Sequence, residues 1–135
     1  MMLLNKETIE KLNFFENLTK AKVKEIIEKE DKNVFIVDEG DLNKALGIKG
    51  KNIKMIENLT HKRIRIVEFS KDPLRFIKNF IYPVKPLNIE LKDNLIEIKA
   101  EDRKSKGLLI GREGKNLEEL NNLLKSYYNL QAKVL

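Results

Sequence analysis

The apolar residues in the first half of the chain recur with two different spacings, which predict helices and strands in a definite order. A helical spacing predicts a helix over 5–18, and apolar runs predict strands over 21–29 and 33–38. A short helix from Asp41, a longer helix and a strand over 63–66 follow. The side chains expected to face the core from the two longer helices are Ile9, Leu12, Phe15, Leu18, Ile53, Ile56 and Leu59.

The second half of the chain repeats this order. Asp72 followed by Pro73 is typical of a helix start, and a helix is predicted over 72–81. The later elements are strands over 87–91 and 96–98, a helix over 101–110, a helix with Leu117, Leu120 and Leu124 inward, and a strand over 130–134. Each half is therefore predicted to be an α-β-β-α-α-β unit of the α+β class, with a three-stranded sheet packed on helices.

A short signature occurs once in each half. The two copies are Leu46-Gly47-Ile48-Lys49-Gly50-Lys51-Asn52-Ile53 and Ile110-Gly111-Arg112-Glu113-Gly114-Lys115-Asn116-Leu117, which lie 64 residues apart. Self-similarity at a fixed period indicates two copies of one supersecondary unit. The predicted domains are therefore residues 1–70 and 71–135, with a helix and a proline-marked junction over 71–86.

The chemistry of the repeated signature favours a phosphate ligand. Glycine at both ends of a four-residue turn allows a sharp bend and a close approach of another backbone. A turn that opens a helix also directs free N–H groups and the positive end of the helix dipole outward. A nucleic acid is the polymer that this arrangement suits.

The positive charge of the chain is concentrated at the same two places. The chain has 135 residues and a formal net charge of +6, yet residues 44–65 hold seven basic residues against Glu57 alone. Residues 103–116 hold five basic residues against Glu113. This distribution is typical of a surface that binds nucleic acid backbones.

Composition argues against other classes of function. The chain has no cysteine and a single histidine, so we expect no thiolate metal site, no cofactor and no catalytic centre. His61 is interpreted as a surface side chain. No apolar run approaches the ~20 residues of a membrane span. We expect a cytoplasmic monomer with no membrane association and no small-molecule substrate.

The α-β-β-α-α-β order with Gly-x-x-Gly between its second and third helices resembles the prokaryotic-type, or type II, KH domain. Two such copies in a short chain, together with the strand over 63–68 and the Asp72-Pro73 helix start, resemble the archaeal NusA family of transcription elongation and termination factors. The resemblance covers essentially the whole chain. It implies a factor for transcription termination or antitermination that binds single-stranded nascent RNA, with RNA polymerase as a candidate partner.

A KH unit clamps the sugar-phosphate backbone of about four nucleotides at its glycine turn. Carried over by position, the resemblance implies RNA-binding residues in both halves: Gly47, Ile48, Lys49, Gly50, Lys51, Asn52, Ile53, Arg63 and Arg65, then Gly111, Arg112, Gly114, Lys115 and Asn116. Glu113 departs from the pattern, because a carboxylate near phosphate is repelled.

Other interpretations of these residues remain open. Asn52 and Asn116 could satisfy local backbone donors, and Arg63 and Arg65 could simply flank the edge of a sheet. Ile53 could serve in packing alone. The chain could also act as an RNA-binding adaptor in ribosome assembly or RNA processing, or as a KH module used for protein interaction.

Overall fold

The computed structural model describes residues 5–135, so residues 1–4 of the predicted first domain lie outside the described residues. The chain divides into two compact units, a first unit over 1–70 and a second unit over 71–135. The elements of the first unit are α1 (Lys6–Thr19), β1 (Val23–Glu28), β2 (Lys32–Val37), α2 (Leu42–Leu46), α3 (Lys51–Thr60) and β3 (Arg63–Glu68). Those of the second unit are α4 (Pro73–Ile81), β4 (Asn88–Lys92), β5 (Leu95–Lys99), α5 (Arg103–Ile110), α6 (Lys115–Tyr128) and β6 (Gln131–Val134). The predicted order of elements and the α+β class are confirmed.

Each unit contains one three-stranded mixed sheet with its second strand at the centre. β2 pairs antiparallel with β1 and parallel with β3, and β5 pairs in the same way with β4 and β6. Residues 33–37 of β2 are buried, which agrees with their nearly continuous apolar run. β3 lies at an edge of its sheet and packs against both α2 and α3.

Side-chain caps set the starts of three helices. Asn5 accepts a hydrogen bond from the backbone N–H of Thr8 at 2.8 Å and so begins α1. Asp72 caps α4, which has proline at its first position as predicted. The fifth helix begins at Arg103 and not at Glu101, because Asp102 stands outside it as the capping residue. The hydrogen bond from the Ser105 N–H, 2.7 Å long, lowers the pKa of the Asp102 carboxyl.

The core of the first unit forms around Phe15 and Phe35, whose rings stack with centroids 4.1 Å apart. Two residues expected in this core are exposed instead. Ile9 is 42 % exposed because Thr8 takes the inward position in that turn of α1, where its hydroxyl donates to Glu28. Leu59 is 62 % exposed because it lies one residue from the end of α3.

The core of the second unit forms between the sheet and α4, α5 and α6. Leu120 and Leu124 are buried as predicted, whereas Leu117 is only half-buried. Leu123, which corresponds to Leu59 in the repeat, is buried because α6 continues for another five residues beyond it. No helix within residues 5–135 is both long enough and apolar enough to cross a bilayer.

Candidate nucleic-acid interface

The first glycine turn, residues 47–50, connects α2 to α3 and bends through three residues with positive φ. Gly47 has φ 72° and ψ 174°, a conformation that is essentially restricted to glycine. Lys49 and Gly50 follow in the left-handed region, with φ 54° and 71°. The N–H of Gly50 donates to the carbonyl of Gly47 at 3.2 Å, which closes the turn. The backbone at residue 50 then enters α3 directly.

The second glycine turn, residues 111–114, has the same conformation. Gly111 has φ 78° and ψ 172°, and Glu113 and Gly114 have φ 56° and 73°. The N–H of Gly114 donates to the carbonyl of Gly111 at 3.1 Å. The sequence repeat is therefore also a repeat of backbone geometry, although the two residues between the glycines differ completely.

The two glycines of each turn are required for different reasons. A Cβ on Gly47 would lie 2.9 Å from Cγ of Asn52, and a Cβ on Gly111 would lie 2.6 Å from Cγ of Asn116. Within residues 5–135, apart from Gly50 and its two chain neighbours, no atom lies within 4 Å of the position that a Cβ on Gly50 would take, so open space adjoins the backbone there. The same is true of Gly114. Close approach of another backbone is possible at the second glycine of each turn.

The asparagine that follows each turn is bonded to the helix that precedes it. The side-chain amide of Asn52 donates to the carbonyl oxygen of Lys44 at 3.1 Å, and that of Asn116 donates to Leu108 at 2.9 Å. The sequence had offered local backbone donors as alternative partners, whereas the structure gives a backbone acceptor eight residues earlier. Only the identical position of the two asparagines in the repeat could have signalled this bond.

The residues between the glycines project into solvent. Ile48 is 84 % exposed, the largest exposure of any bulky apolar side chain in the described part of the chain. Lys49 and Lys51 are exposed on either side of Gly50, and within residues 5–135 neither forms an ion pair. In the second turn Arg112, Glu113, Lys115 and Asn116 are exposed, while Asn52 and Ile53 in the first are half-buried.

The structure separates Arg63 from the first glycine turn. Arg63 follows the C-terminal end of α3, so it lies roughly 15 Å from the turn along the helix, given a rise of 1.5 Å per residue. Arg63 is exposed and Arg65 is half-buried on the edge strand β3. Residues 47–53 thus form one compact surface, and the two arginines lie on the strand that runs beside it.

The arrangement at the two glycine turns favours the binding of an anion. The N-termini of α3 and α6, which carry the positive ends of the helix dipoles, lie at the glycine turns together with backbone N–H groups and lysines. Residues 5–135 hold no group of three His, Cys, Asp or Glu side chains that could bind a metal ion.

A cleft of about 390 Å³ lies near the C-terminal end of α6, the end opposite the glycine turn. Most of its lining residues carry side-chain amides; the lining consists of Asn94, Asn121, Asn122, Lys125, Asn129, Leu130 and Gln131.

Comparison with known proteins identifies the family. No family model matches the chain. A protein of Methanococcus vannielii named "Probable transcription termination protein NusA" is 33 % identical over 119 residues, which cover 85 % of this chain and 68 % of that protein. This chain belongs to the archaeal NusA family. The resemblance drawn from the glycine signatures is confirmed.

Other members and one solved structure agree with this assignment. NusA proteins of the same name from Methanocaldococcus jannaschii and Thermoplasma acidophilum are 30 % and 27 % identical, over 92 % and 96 % of this chain. They are covered over 69 % and 92 % of their own lengths. A solved structure described as "Crystal structure of APE1850" superposes with a TM-score of 0.69 at 26 % identity, covering 98 % of this chain and all of that one. The relatives carry the name of a transcription factor and not of an enzyme.

Proposed function

We propose that this archaeal NusA protein acts in transcription termination or antitermination by clamping single-stranded nascent RNA at two glycine turns. The observation that carries the proposal is the second glycine of each turn. Gly50 and Gly114 both adjoin open space at the start of a helix, with an exposed lysine immediately after each. A phosphate backbone can approach there without meeting a side chain.

The fold around each turn supports two type II KH domains, residues 1–70 and 71–135. Each unit has the order α-β-β-α-α-β, and its glycine turn joins the second helix to the third. KH domains use this turn to hold about four nucleotides of backbone, whereas platforms that stack bases need exposed aromatic pairs. The aromatic pairs Phe15–Phe35 and Phe76–Phe80 lie in the two cores. Tyr127 and Tyr128 also form a pair, but they are half-buried at the C-terminal end of α6, the end opposite the glycine turn.

In the first unit, the RNA backbone would lie over Gly50 between Lys49 and Lys51. Ile48 and Lys49 lie in the turn before α3, where Lys49 has a left-handed backbone, so their N–H groups stand outside the hydrogen-bond ladder of that helix. Ile48 is an exposed apolar side chain between the two glycines and would contact a sugar or a base. Arg63 and Arg65 would meet RNA farther along, on β3.

The second unit offers a weaker clamp. Its turn has the same backbone geometry, and Arg112 and Lys115 supply positive charge. Glu113 occupies the position of Lys49 and places a carboxylate beside the proposed phosphate path. We infer that the first unit contributes most of the affinity, and that the second either adds to it or serves a protein partner.

Fluorescence anisotropy with an unstructured RNA oligonucleotide and a duplex of the same length tests the proposal. The single strand should bind more tightly, and the logarithm of its affinity should fall linearly with the logarithm of salt concentration, because bound phosphates release counterions. Equal affinity for both RNAs, or an affinity that is insensitive to salt, would contradict the proposal.

The biological role needs a separate test. Tagged protein purified from its native cells should bring down RNA polymerase subunits if it acts in transcription. Recovery of ribosomal proteins without polymerase would instead support the alternative role in ribosome assembly or RNA processing. Purification of the tagged protein with a protein partner but without bound RNA would support a KH module used for protein interaction.

A further inference from the structure

We propose that Asn52 and Asn116 are positioning residues that hold the two glycine turns in shape, and are not themselves the groups that bind RNA. The proposal rests on the proposed RNA clamp and assigns a different role to two residues that the resemblance places among its contacts.

The helix before each turn ends with a carbonyl that lacks its helical partner. In a continuous helix the carbonyl of Lys44 would accept from the N–H of residue 48. Gly47 prevents this, because its ψ of 174° leaves the helical conformation. The Asn52 amide supplies the missing donor at 3.1 Å. Gly111 and Asn116 stand in the same relation to Leu108, with a bond of 2.9 Å.

This bond joins the end of one helix to the first turn of the next. The helix α2 has only five residues and is too short to be stable alone. The hydrogen bond from Asn52 to Lys44 therefore contributes strongly to fixing its direction. The same asparagine side chain packs against the first glycine, where a Cβ would come within 2.9 Å of it. Asn52 therefore restrains Gly47 from one side and the Lys44 carbonyl from the other.

The two turns share the asparagine hydrogen bond but differ in the side chains that they present to a ligand. The residues between the glycines are Ile48 and Lys49 in one copy and Arg112 and Glu113 in the other, so the surfaces offered to a ligand differ in charge and polarity. The asparagine bond and the backbone angles are nevertheless the same in both. The asparagine hydrogen bond is present in both turns although their ligand-facing residues differ, so we assign it to holding the backbone of the turn.

NMR of the full chain tests this role directly in the absence of RNA. The side-chain amide protons of Asn52 should exchange with water more slowly than those of Asn58, which is exposed on the same helix and whose side chain has no hydrogen bond within residues 5–135. When single-stranded RNA is added, the backbone amides of residues 48–50 should shift more than the Asn52 side chain does. Exchange as fast as that of Asn58, or the largest shift at the Asn52 side chain, would overturn the proposal.

Substitution provides the second measurement. Asn52→Ala should change the backbone amide shifts of residues 47–50 in the free protein and weaken RNA binding about 2- to 10-fold, the range expected for one lost hydrogen bond. The matched control Asn58→Ala should do neither. An RNA affinity that falls while the turn resonances of the free protein stay unchanged would show a direct contact and overturn the proposal.

RNA binding and amide exchange give separate results for the proposed function and for the positioning role. If the wild-type chain binds no RNA, the proposed function fails, whereas slow exchange of the Asn52 amide would still show that its bond holds the turn. If RNA binds but the Asn52 amide exchanges freely, only the positioning role is wrong. The exchange measurement on wild-type protein decides this even where Asn52→Ala does not fold, which circular dichroism would show.

Discussion

The Glu57 carboxylate accepts a hydrogen bond from the backbone N–H of Ile64 at 2.9 Å, linking α3 to the first buried residue of β3. Asn121 makes the corresponding link in the second unit, where it accepts from the N–H of Ala132 at 2.7 Å and donates to its carbonyl at 3.1 Å. The two residues occupy the same position in the repeat but differ in charge. In both units a side chain of the third helix therefore fixes the start of the last strand.

Asn121→Ala should lower the free energy of unfolding by about 1–2 kcal/mol, because it removes two partly buried hydrogen bonds at once. Denaturation in urea measures the change. Asn122→Ala is the matched control, since Asn122 is exposed on the same helix and should alter stability by less than about 0.5 kcal/mol. Equal effects of the two substitutions would show that the link to β6 contributes nothing.

Replacing both Ile48 and Lys49 by aspartate should weaken single-stranded RNA binding by about ten-fold or more at low salt. Both side chains are exposed and both glycines remain, so the fold should be retained. The control variant replaces Lys85 and Leu87, also an exposed lysine and an exposed apolar residue, by aspartate. If the turn variant binds RNA as tightly as the control, the first glycine turn is not the clamp.

Glu113→Lys should strengthen RNA binding several-fold, because it replaces repulsion by attraction beside the phosphate path of the second turn. An exposed charge of this kind contributes about 1 kcal/mol or less, which sets the size of the gain. Glu101→Lys makes the same charge change at another exposed position and should have a smaller effect. No gain from Glu113→Lys, together with complete loss of binding in the double aspartate variant, would assign the second unit to a protein partner.

The two glycines of the first turn should respond differently to substitution. Gly50→Asn should cost little stability, because Asn tolerates the left-handed conformation and the adjoining space is open, but the new side chain should hinder RNA. Gly47→Ala should cost more than about 2 kcal/mol, since it combines a glycine-only conformation with a collision against Asn52. Thermal and urea unfolding measure both, and equal costs would contradict the separate roles.

The contact between α1 and β1 should make stability depend on pH. A hydrogen bond from the Lys11 ammonium and a second from the Thr8 hydroxyl lower the pKa of Glu28 below its ordinary value of 4.5. A lowered carboxyl pKa stabilises the fold above the unfolded-state value, and this stabilisation is lost as the pH falls through the folded-state pKa. Glu28→Gln should therefore cost about 0.5–1 kcal/mol at neutral pH and little in acid.

Urea unfolding at several pH values between 7 and 3 provides the measurement. Glu10→Gln removes an exposed glutamate of α1 and serves as the control. A cost of Glu28→Gln that does not diminish below pH 4.5 would contradict the role of the charged carboxylate.

The element order and the repeated turns were predictable from the sequence because their causes are local. The cap by Asp72, the apolar run of β2 and the glycines at positions 47 and 50 each depend on residues a few positions apart. The predicted helix ends differ from those in the structure by one or two residues. At Asp102, for example, a residue that looks helical in the pattern stands outside the helix as its cap.

The sequence by itself determined that two copies of one α+β unit follow each other, and that each opens its third helix with a glycine turn. The tertiary structure decided which residues those turns depend on. Asn52 reaches a carbonyl eight positions away, and Leu59 and Leu123 differ in burial although they occupy the same place in the repeat. Spacing along a helix sets the direction of a side chain, but its partner depends on which other segment the fold brings to that point.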